Sequence, residues 1–270
     1  MLLMWISYSN GGVTAYDSQV HVGLERRLMN MREFQDAVHR KLLEYGWRVE
    51  RARWGPDRVY WEPAYIRRLG FRPQTIIDVG VAKGTPQLYA AFPDSQLILV
   101  EPLSEYFEGI ARLLARRRGV HIPAAAWSSE GELELRVEPH VTEGSSLYSR
   151  HPFAKISDTV TPRRVRVTTI DRIIANDAFP APFGLKIDTE GAELEVIRGA
   201  AATLERTLFV IAEVNVLHGR FEGSYSFAQF IAAMDQAGFE VCDLLGVGRR
   251  GPSSHVNYVD LVFQRRDNSP

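Results

Sequence analysis

The sequence predicts an α/β fold in which a mostly parallel sheet is covered by helices on both faces. Seven short apolar runs alternate with helical segments from residue 75 onward, and this alternation is typical of a buried parallel sheet. The last two runs are separated only by a Gly/Arg/Pro/Ser loop at 246–256, which has no room for a crossover helix. These two strands are therefore expected to form an antiparallel hairpin at the C-terminal end.

The period of the apolar residues predicts the individual elements. The predicted strands are Thr75–Val79, Leu97–Val100, Val120–Ala124, Leu185–Ile187, Leu208–Ala212, Phe239–Leu244 and Val259–Phe263. The predicted helices are 86–92, 103–118, 192–198 and 226–237, preceded by an earlier helix near 31–45. Two further short strands, Glu132–Val137 and Arg164–Thr168, flank a polar loop at 140–162, which is expected to act as a mobile lid or acceptor wall.

Composition and charge restrict the class of protein. The chain has 270 residues, 45% of them hydrophobic and 24% charged, which excludes a disordered, collagenous or coiled-coil protein. One cysteine, Cys242, excludes an intramolecular disulfide and a cysteine-based zinc site. The net charge of −1 argues against a general nucleic-acid binder. Because no apolar run approaches the ~20 residues of a membrane span and residues 1–6 lack the features of a signal peptide, a cytoplasmic protein is expected.

The first predicted strand leads into a turn that contains two glycines. The strand ends at Asp78, and Gly80 and Gly84 follow four residues apart. Thr85 and Pro86 then suit the beginning of a helix. A strand, a glycine turn and a helix N-terminus form the nucleotide-binding geometry of open α/β sheets, in which the ligand lies beyond the carboxyl ends of the strands. A plain strand–helix turn explains a glycine pair equally well.

An acidic residue after the next strand favours the nucleotide-binding interpretation. Glu101 follows Gly80 by 21 residues, a spacing that suits hydrogen bonds to two ribose hydroxyls, although a solvated strand end is the alternative. The turn lacks the close triple glycine that binds a pyrophosphate. Its spacing resembles the first motif of class I S-adenosylmethionine-dependent methyltransferases, whose cofactor has a ribose and an adenine but no phosphate.

A second acidic strand end lies in the segment Leu185–Ala200. Its strand ends at Asp188, and Gly191 permits a tight entry into the next helix. Glu190 and Glu193 fall at the first turn of this helix, where the helix dipole favours negative charge. Packing alone does not require so many carboxylates near one strand end, which favours a functional site. The alternative is a cluster of carboxylates that only caps the helix.

This segment resembles the signature of the FkbM family of methyltransferases. The resemblance extends to Val167–Asp171, to Ala124–Gly131 and to the serine-bearing loop at Ser145–Leu147. It covers residues 75–265, whereas residues 1–70 lie outside it. The family implies a Rossmann-like class I methyltransferase that uses S-adenosylmethionine, usually to methylate a hydroxyl oxygen of a sugar or polyketide-type metabolite.

The resemblance implies roles for individual residues in cofactor binding. The glycine turn shapes the methionine side of the cofactor site, Glu101 holds the ribose, and the adenine lies beside Ala126 and Trp127. Lys83 stands where smaller or more polar residues are common, and it is expected either to contact the cofactor carboxylate or to project into solvent. The residues implied in cofactor binding are Asp78, Gly80, Lys83, Gly84, Glu101, Ala126 and Trp127.

Methyl transfer to an alcohol benefits from a general base or a metal ion. The resemblance places Asp188 beside the reactive methyl group, followed by Glu190. The fifth strand continues to Glu213 and Asn215, and His218 lies just beyond, as a candidate base, a substrate contact or a surface histidine. The expected catalytic residues are Asp188, Glu190 and His218. Asp188, Glu213 and Asn215 offer the oxygen ligands that Mg²⁺ prefers, unless the last two only bind loop backbone.

Two other classes of function compete with this interpretation. An NAD(P)-dependent oxidoreductase needs a tighter glycine turn and a hydride-site arrangement that the sequence does not show. A non-catalytic cofactor-binding protein needs the carboxylates of Asp188 and Glu190 to be structural only. We expect a methyltransferase domain at 71–270, an N-terminal arm and helical cover at 1–70, and a small-molecule or glycan acceptor rather than a nucleic acid.

Overall fold

The computed structural model of the protein describes residues 7–9, 12–14, 61–152, 159–176, 179–217, 220–249 and 255–266. The chain divides into two units, residues 1–53 and residues 54–270. In the first unit, strand β1 (Ser7–Ser9) pairs antiparallel with β2 (Gly12–Thr14). The helix predicted near 31–45 lies outside the described residues, so the N-terminal cover stays a prediction.

The second unit alternates strands with helices. Its strands are β3 (Thr75–Val79), β4 (Gln96–Val100), β5 (Gly119–Ile122), β6 (Ala125–Ala126), β7 (Gly131–Val137), β8 (Thr161–Thr168), β9 (Phe183–Ile187), β10 (Thr207–Asn215), β11 (Phe239–Arg249) and β12 (Val256–Arg265). Its helices are α1 (Pro63–Arg68), α2 (Pro86–Ala91), α3 (Phe107–Leu114), α4 (Ile170–Asn176), α5 (Glu193–Arg198), α6 (Ala201–Leu204) and α7 (Phe227–Gln236). No helix of the described residues is long and apolar enough to cross a membrane.

A seven-stranded sheet with the order β11-β12-β10-β9-β3-β4-β5 forms the centre of this unit. Strands β5, β4, β3, β9 and β10 run parallel, whereas β12 is antiparallel to both β10 and β11. The predicted α/β fold, with a mostly parallel sheet and an antiparallel C-terminal hairpin, is confirmed. The helix predicted at 103–118 is shorter, because the chain returns to the sheet early and the carbonyl of Arg118 accepts a hydrogen bond from the Leu97 N–H.

Apolar side chains cover both faces of the sheet. Ile77 and Val79 of β3 belong to the cluster formed with α4, α5 and α7. Ile76, one residue away and on the opposite face, belongs to the cluster that contains Ile66 of α1 and Leu88 of α2. Successive side chains of a strand point to opposite faces, so each central strand is buried on both sides. This double burial explains the short, continuous apolar runs in the sequence.

The strand order places a switch point between β3 and β9. The chain runs from β3 to β4 and β5 on one side, and β9 and β10 continue on the other, which opens a crevice where ligands of open α/β sheets bind. Gly80 follows β3 with a φ of 76°, and a Cβ at this position would overlap the backbone carbonyl of Asp188, which follows β9. The position therefore requires glycine.

A small three-stranded sheet carries the loop that faces this crevice. Strand β8 lies between β6 and β7, parallel to β6 and antiparallel to β7. The connection from β7 to β8 contains the polar loop predicted from the sequence, of which residues 138–152 and 159–160 are described. Ser146 forms a bridge with Arg136, so the loop returns to the edge of β7.

Candidate active site

A cleft opens at the carboxyl ends of β3, β4 and β9. It encloses about 550 Å³, part of which is open to solvent. The turns after β3 and β9, the end of β4 and strand β6 form its walls, and loop 138–152 contributes a further wall. Of the predicted site residues, the cleft brings together Gly80, Glu101, Ala126, Asp188 and Glu190.

Glu101 is fixed at the end of β4 by two backbone donors. Its side chain lies inside the protein, and the residue is only 4% exposed. One carboxylate oxygen accepts the Ala82 N–H and the other accepts the Leu103 N–H, each at 2.8 Å. Burial raises the pKa of Glu101, and these two hydrogen bonds oppose that shift. Each carboxylate oxygen has a second lone pair, so the group retains acceptor capacity for a ligand.

Asp78 does not line the cleft, because it points into the interior. It is completely buried, and Oδ2 accepts hydrogen bonds from the hydroxyls of Thr85 and Tyr89. These bonds tie the end of β3 to the beginning of α2. Asp78 therefore shapes the glycine turn from behind, while the turn itself supplies the cleft surface at Gly80 and Ala82.

Three other residues predicted to bind the cofactor lie beside the cleft. Lys83 and Gly84 line a neighbouring depression between the glycine turn and α3. The Lys83 side chain is 76% exposed and forms an ion pair with Glu143 of loop 138–152. Trp127 directly follows Ala126, but its ring packs against Tyr148 at a centroid distance of 5.7 Å.

A buried lysine connects the two strand ends at the switch point. Lys186 of β9 places Nζ 3.3 Å from Asp188 Oδ2 and 3.5 Å from Asp78 Oδ1, and it donates to the Gly80 carbonyl at 3.4 Å. Burial alone would lower the pKa of Lys186, but the attraction of Asp188 and Asp78 outweighs burial and raises it. Lys186 is therefore a protonated link between β3 and β9. In the sequence, Lys186 is a charged residue inside an otherwise apolar strand, and this signal could have predicted its role.

Three carboxylates meet at the end of β9 and β10. One oxygen from each of Asp188, Glu190 and Glu213 lies within 4.8 Å of the others. Asn215, the third predicted metal ligand, accepts a hydrogen bond from Arg220 at its Oδ1. Burial and the nearby carboxylates raise the pKa of Glu213 well above its ordinary value. His218 lies outside the described residues.

Two arginines that sequence reasoning missed bind this carboxylate group. Glu190 Oε2 accepts hydrogen bonds from Arg150 and Arg220, both at 2.8 Å. Arg220 also donates to Glu213 at 2.9 Å and to Asn215 at 2.8 Å. Burial raises the pKa of Glu190, and the two guanidinium groups oppose that shift. The arginines lie 40 and 30 residues from Glu190 along the chain, so no local spacing predicts these contacts.

The backbone of the turn after β9 holds Glu190 in an uncommon conformation. Its φ of 52° lies in the left-handed region, which non-glycine residues adopt rarely and often at functional sites. The Ser146 hydroxyl donates to the Glu190 carbonyl at 2.6 Å. Glu193 is different, because its carboxylate accepts the N–H groups of Thr189 and Gly191. Glu193 thus matches the capping alternative, whereas Glu190 faces the cleft.

Loop 138–152 is attached on both sides of the cleft. On the side of β4, the Tyr106 and Thr142 hydroxyls share a hydrogen bond of 2.5 Å. On the side of β9, Ser146 and Arg150 bind Glu190. The loop lines the cleft, and its predicted roles as acceptor wall and mobile lid both stay predictions.

The fold is the open, mostly parallel α/β sheet that the family resemblance predicts. The model of the FkbM methyltransferase domain matches residues 78–241, which is more than half of the chain. The chain therefore belongs to the FkbM family of methyltransferases. The predicted family resemblance is confirmed.

Three proteins that are similar to this chain carry the name of a methyltransferase. The hexuronic acid methyltransferase AglP of Haloferax volcanii is 26% identical over 140 residues, which cover 51% of this chain and 54% of AglP. The chain thus spans about half the length of this curated relative. The crystal structure of an FkbM methyltransferase from Methylobacillus flagellatus has 15% identity and a TM-score of 0.45, covering 76% of this chain and 48% of that one. Magnesium protoporphyrin IX methyltransferase from Synechocystis, solved with bound S-adenosylmethionine, has 9% identity and a TM-score of 0.40, with coverages of 89% and 86%.

Proposed function

We propose that this chain transfers the methyl group of S-adenosylmethionine to a hydroxyl oxygen of a sugar, a glycan or a polyketide-type metabolite. The observation that carries the proposal is the carboxylate of Glu101, which is buried at the end of β4 and lines the switch-point cleft. Membership of the FkbM family supports methyl transfer, and the relative that acts on a hexuronic acid supports a sugar acceptor.

The residues of the cleft fit a nucleoside cofactor better than a dinucleotide. Glu101 can accept hydrogen bonds from two ribose hydroxyls, because its backbone contacts occupy only one lone pair of each oxygen. Gly80 leaves the turn without a Cβ at the point of closest approach to β9. Ala126, Leu135 and Leu147 provide an apolar surface for an adenine ring. The turn after β3 lacks the triple glycine of pyrophosphate-binding enzymes.

The carboxylate of Asp188 is the best candidate to act on the acceptor hydroxyl. When bound, S-adenosylmethionine supplies an electrophilic methyl group on a sulfonium. Asp188 lines the cleft, and its half-exposed carboxylate can accept the hydroxyl proton as a general base. The ion pair with Lys186 fixes the direction of that carboxylate.

Calorimetric titration with S-adenosylhomocysteine tests the cofactor part of this proposal. We expect a 1:1 complex with the wild type and a loss of roughly 1–3 kcal/mol of binding free energy in E101A, because two charge-assisted hydrogen bonds are lost. E108A is the matched control, since Glu108 is an exposed carboxylate of α3 that pairs with Arg112. Tight binding of NADH, or equal affinities of E101A and E108A for S-adenosylhomocysteine, would contradict the proposal.

A further inference from the structure

Arg220 occupies the space between the oxygen atoms that the sequence offers as metal ligands. Its guanidinium donates to Glu213 Oε1 at 2.9 Å and to Asn215 Oδ1 at 2.8 Å, and both residues belong to the predicted magnesium set. The same guanidinium donates to Glu190 Oε2 at 2.8 Å. One cation thus binds oxygens from three residues in the turn after β9 and at the end of β10.

The surroundings of Arg220 hold its guanidinium in place. The residue is 6% exposed, and the guanidinium lies over the rings of Phe221 and Tyr258 at 5.0 and 5.2 Å. The planar fork of an arginine binds two carboxylates in fixed directions, which an ammonium group cannot do. A buried and stacked guanidinium loses little conformational freedom when it binds, so it is a preorganised cation.

Each carboxylate of the group already has a protein cation as its partner. Asp188 pairs with Lys186, Glu190 pairs with Arg150 and Arg220, and Glu213 pairs with Arg220, while Lys186 also pairs with Asp78 and Arg150 with Glu138. A divalent ion among the same oxygens would lie within a few ångströms of a buried guanidinium, and the like charges would repel each other. The donor set therefore does not fit Mg²⁺ while Arg220 is in place.

We propose that the guanidinium of Arg220, and not a divalent cation, organises the carboxylates of Glu190 and Glu213 at the ends of β9 and β10, beside Asp188. Arg220 is then a positioning residue, which acts through Glu190, the neighbour of Asp188 in the cleft wall. The catalytic part of this inference rests on the proposed function, and the metal part does not depend on it.

Manganese binding tests the metal part directly, with the full chain and Mn²⁺ as the probe in electron paramagnetic resonance titrations. The wild type should bind no Mn²⁺ at the carboxylate group. R220A frees Glu213 and Asn215 and leaves Glu190 with a single arginine, so it should gain one Mn²⁺ site that the wild type lacks. R265A is the matched control, because Arg265 stacks on Phe239 and binds the Leu204 carbonyl far from this group. Stoichiometric Mn²⁺ binding by the wild type, or no gain in R220A, would overturn the proposal.

Activity measurements test the positioning role. Because Arg220 is buried, R220K serves as a second variant if R220A does not fold, as judged from its melting temperature. Both variants should lose about 10–100-fold in kcat while KM for S-adenosylmethionine stays unchanged, and methylguanidine should restore part of the R220A activity.

EDTA should leave wild-type activity unchanged. Normal turnover of R220K, or EDTA inactivation that Mg²⁺ reverses, would overturn the proposal. Absence of methyl transfer together with the expected Mn²⁺ results would refute the proposed function alone.

Discussion

Lys186→Met removes the cation that lies between two carboxylates while it keeps the length of the side chain. Asp78 is completely buried, and its Oδ1 has no hydrogen-bond partner within the described part of the chain. The ion pair with Lys186 at 3.5 Å therefore offsets the cost of burying this charged oxygen. Loss of one partner of a buried pair leaves an uncompensated charge and costs about 3–5 kcal/mol. Since each kcal/mol shifts the melting temperature of a domain this size by about 2–4 °C, the expected decrease is roughly 6–20 °C.

Calorimetric or fluorescence melting of K186M against K83M measures this effect. Lys83 also pairs with a carboxylate, but its side chain is 76% exposed, so K83M should lose at most about 1 kcal/mol. The double variant K186M/D78N should recover part of the lost stability, because the neutral amide that replaces the Asp78 carboxylate needs no cation. A melting temperature of K186M equal to that of K83M would refute the conclusion that Lys186 links β3 and β9.

Three further predictions concern Asp188, Asp260 and the loop at 140–162. D188N should reduce kcat by about 10²–10⁴ in a methyl-transfer assay, with little change in melting temperature, because it removes a general base and keeps the shape; near-normal turnover would make Asp188 a structural residue. Burial raises the pKa of Asp260 to about 6. Between about pH 4 and pH 6 the native state therefore holds a proton on Asp260 that the unfolded chain has lost, so the contribution of Asp260 to stability should fall as the pH rises through this range. The free energy of unfolding of D260N, measured in urea over the same pH range, should lack that decrease. Identical pH profiles for the wild type and D260N would contradict the prediction. Limited proteolysis should cut the free protein within 140–162 and cut it more slowly with cofactor and acceptor present, whereas equal rates would indicate an insertion without a role in binding.

The strands and the cleft wall at Gly80 and Glu101 could be predicted from the sequence because those features are local. Strands buried on both faces produce short apolar runs, and a turn at the switch point needs Gly80, so both leave a signal within a few residues. Glu101 lies at a strand end at a fixed distance from the glycine turn, so its place in the cleft could be predicted, whereas its role in binding stays a prediction.

The contacts at the ends of β9 and β10 could not be predicted to the same degree. Arg150 and Arg220 reach Glu190 only through the tertiary fold, so no periodicity connects them. Asp78 carries an acidic side chain at a strand end and yet faces the interior, because two hydroxyls of the next helix region bind it there. Acidic residues at strand ends thus share one sequence signal, although some face the ligand and others hold the backbone.

Mass spectrometry of reactions with S-adenosylmethionine that carries a deuterated methyl group tests the central claim most directly. The full chain is incubated with a panel of neutral sugars, hexuronic acids and polyketide alcohols, and products are fragmented to locate the label. We expect S-adenosylhomocysteine in equal amount to a product labelled on an oxygen atom, and we expect D188N to lose both signals. Label on nitrogen or carbon, or cofactor turnover that persists in D188N, would contradict an O-methyltransferase that acts through Asp188.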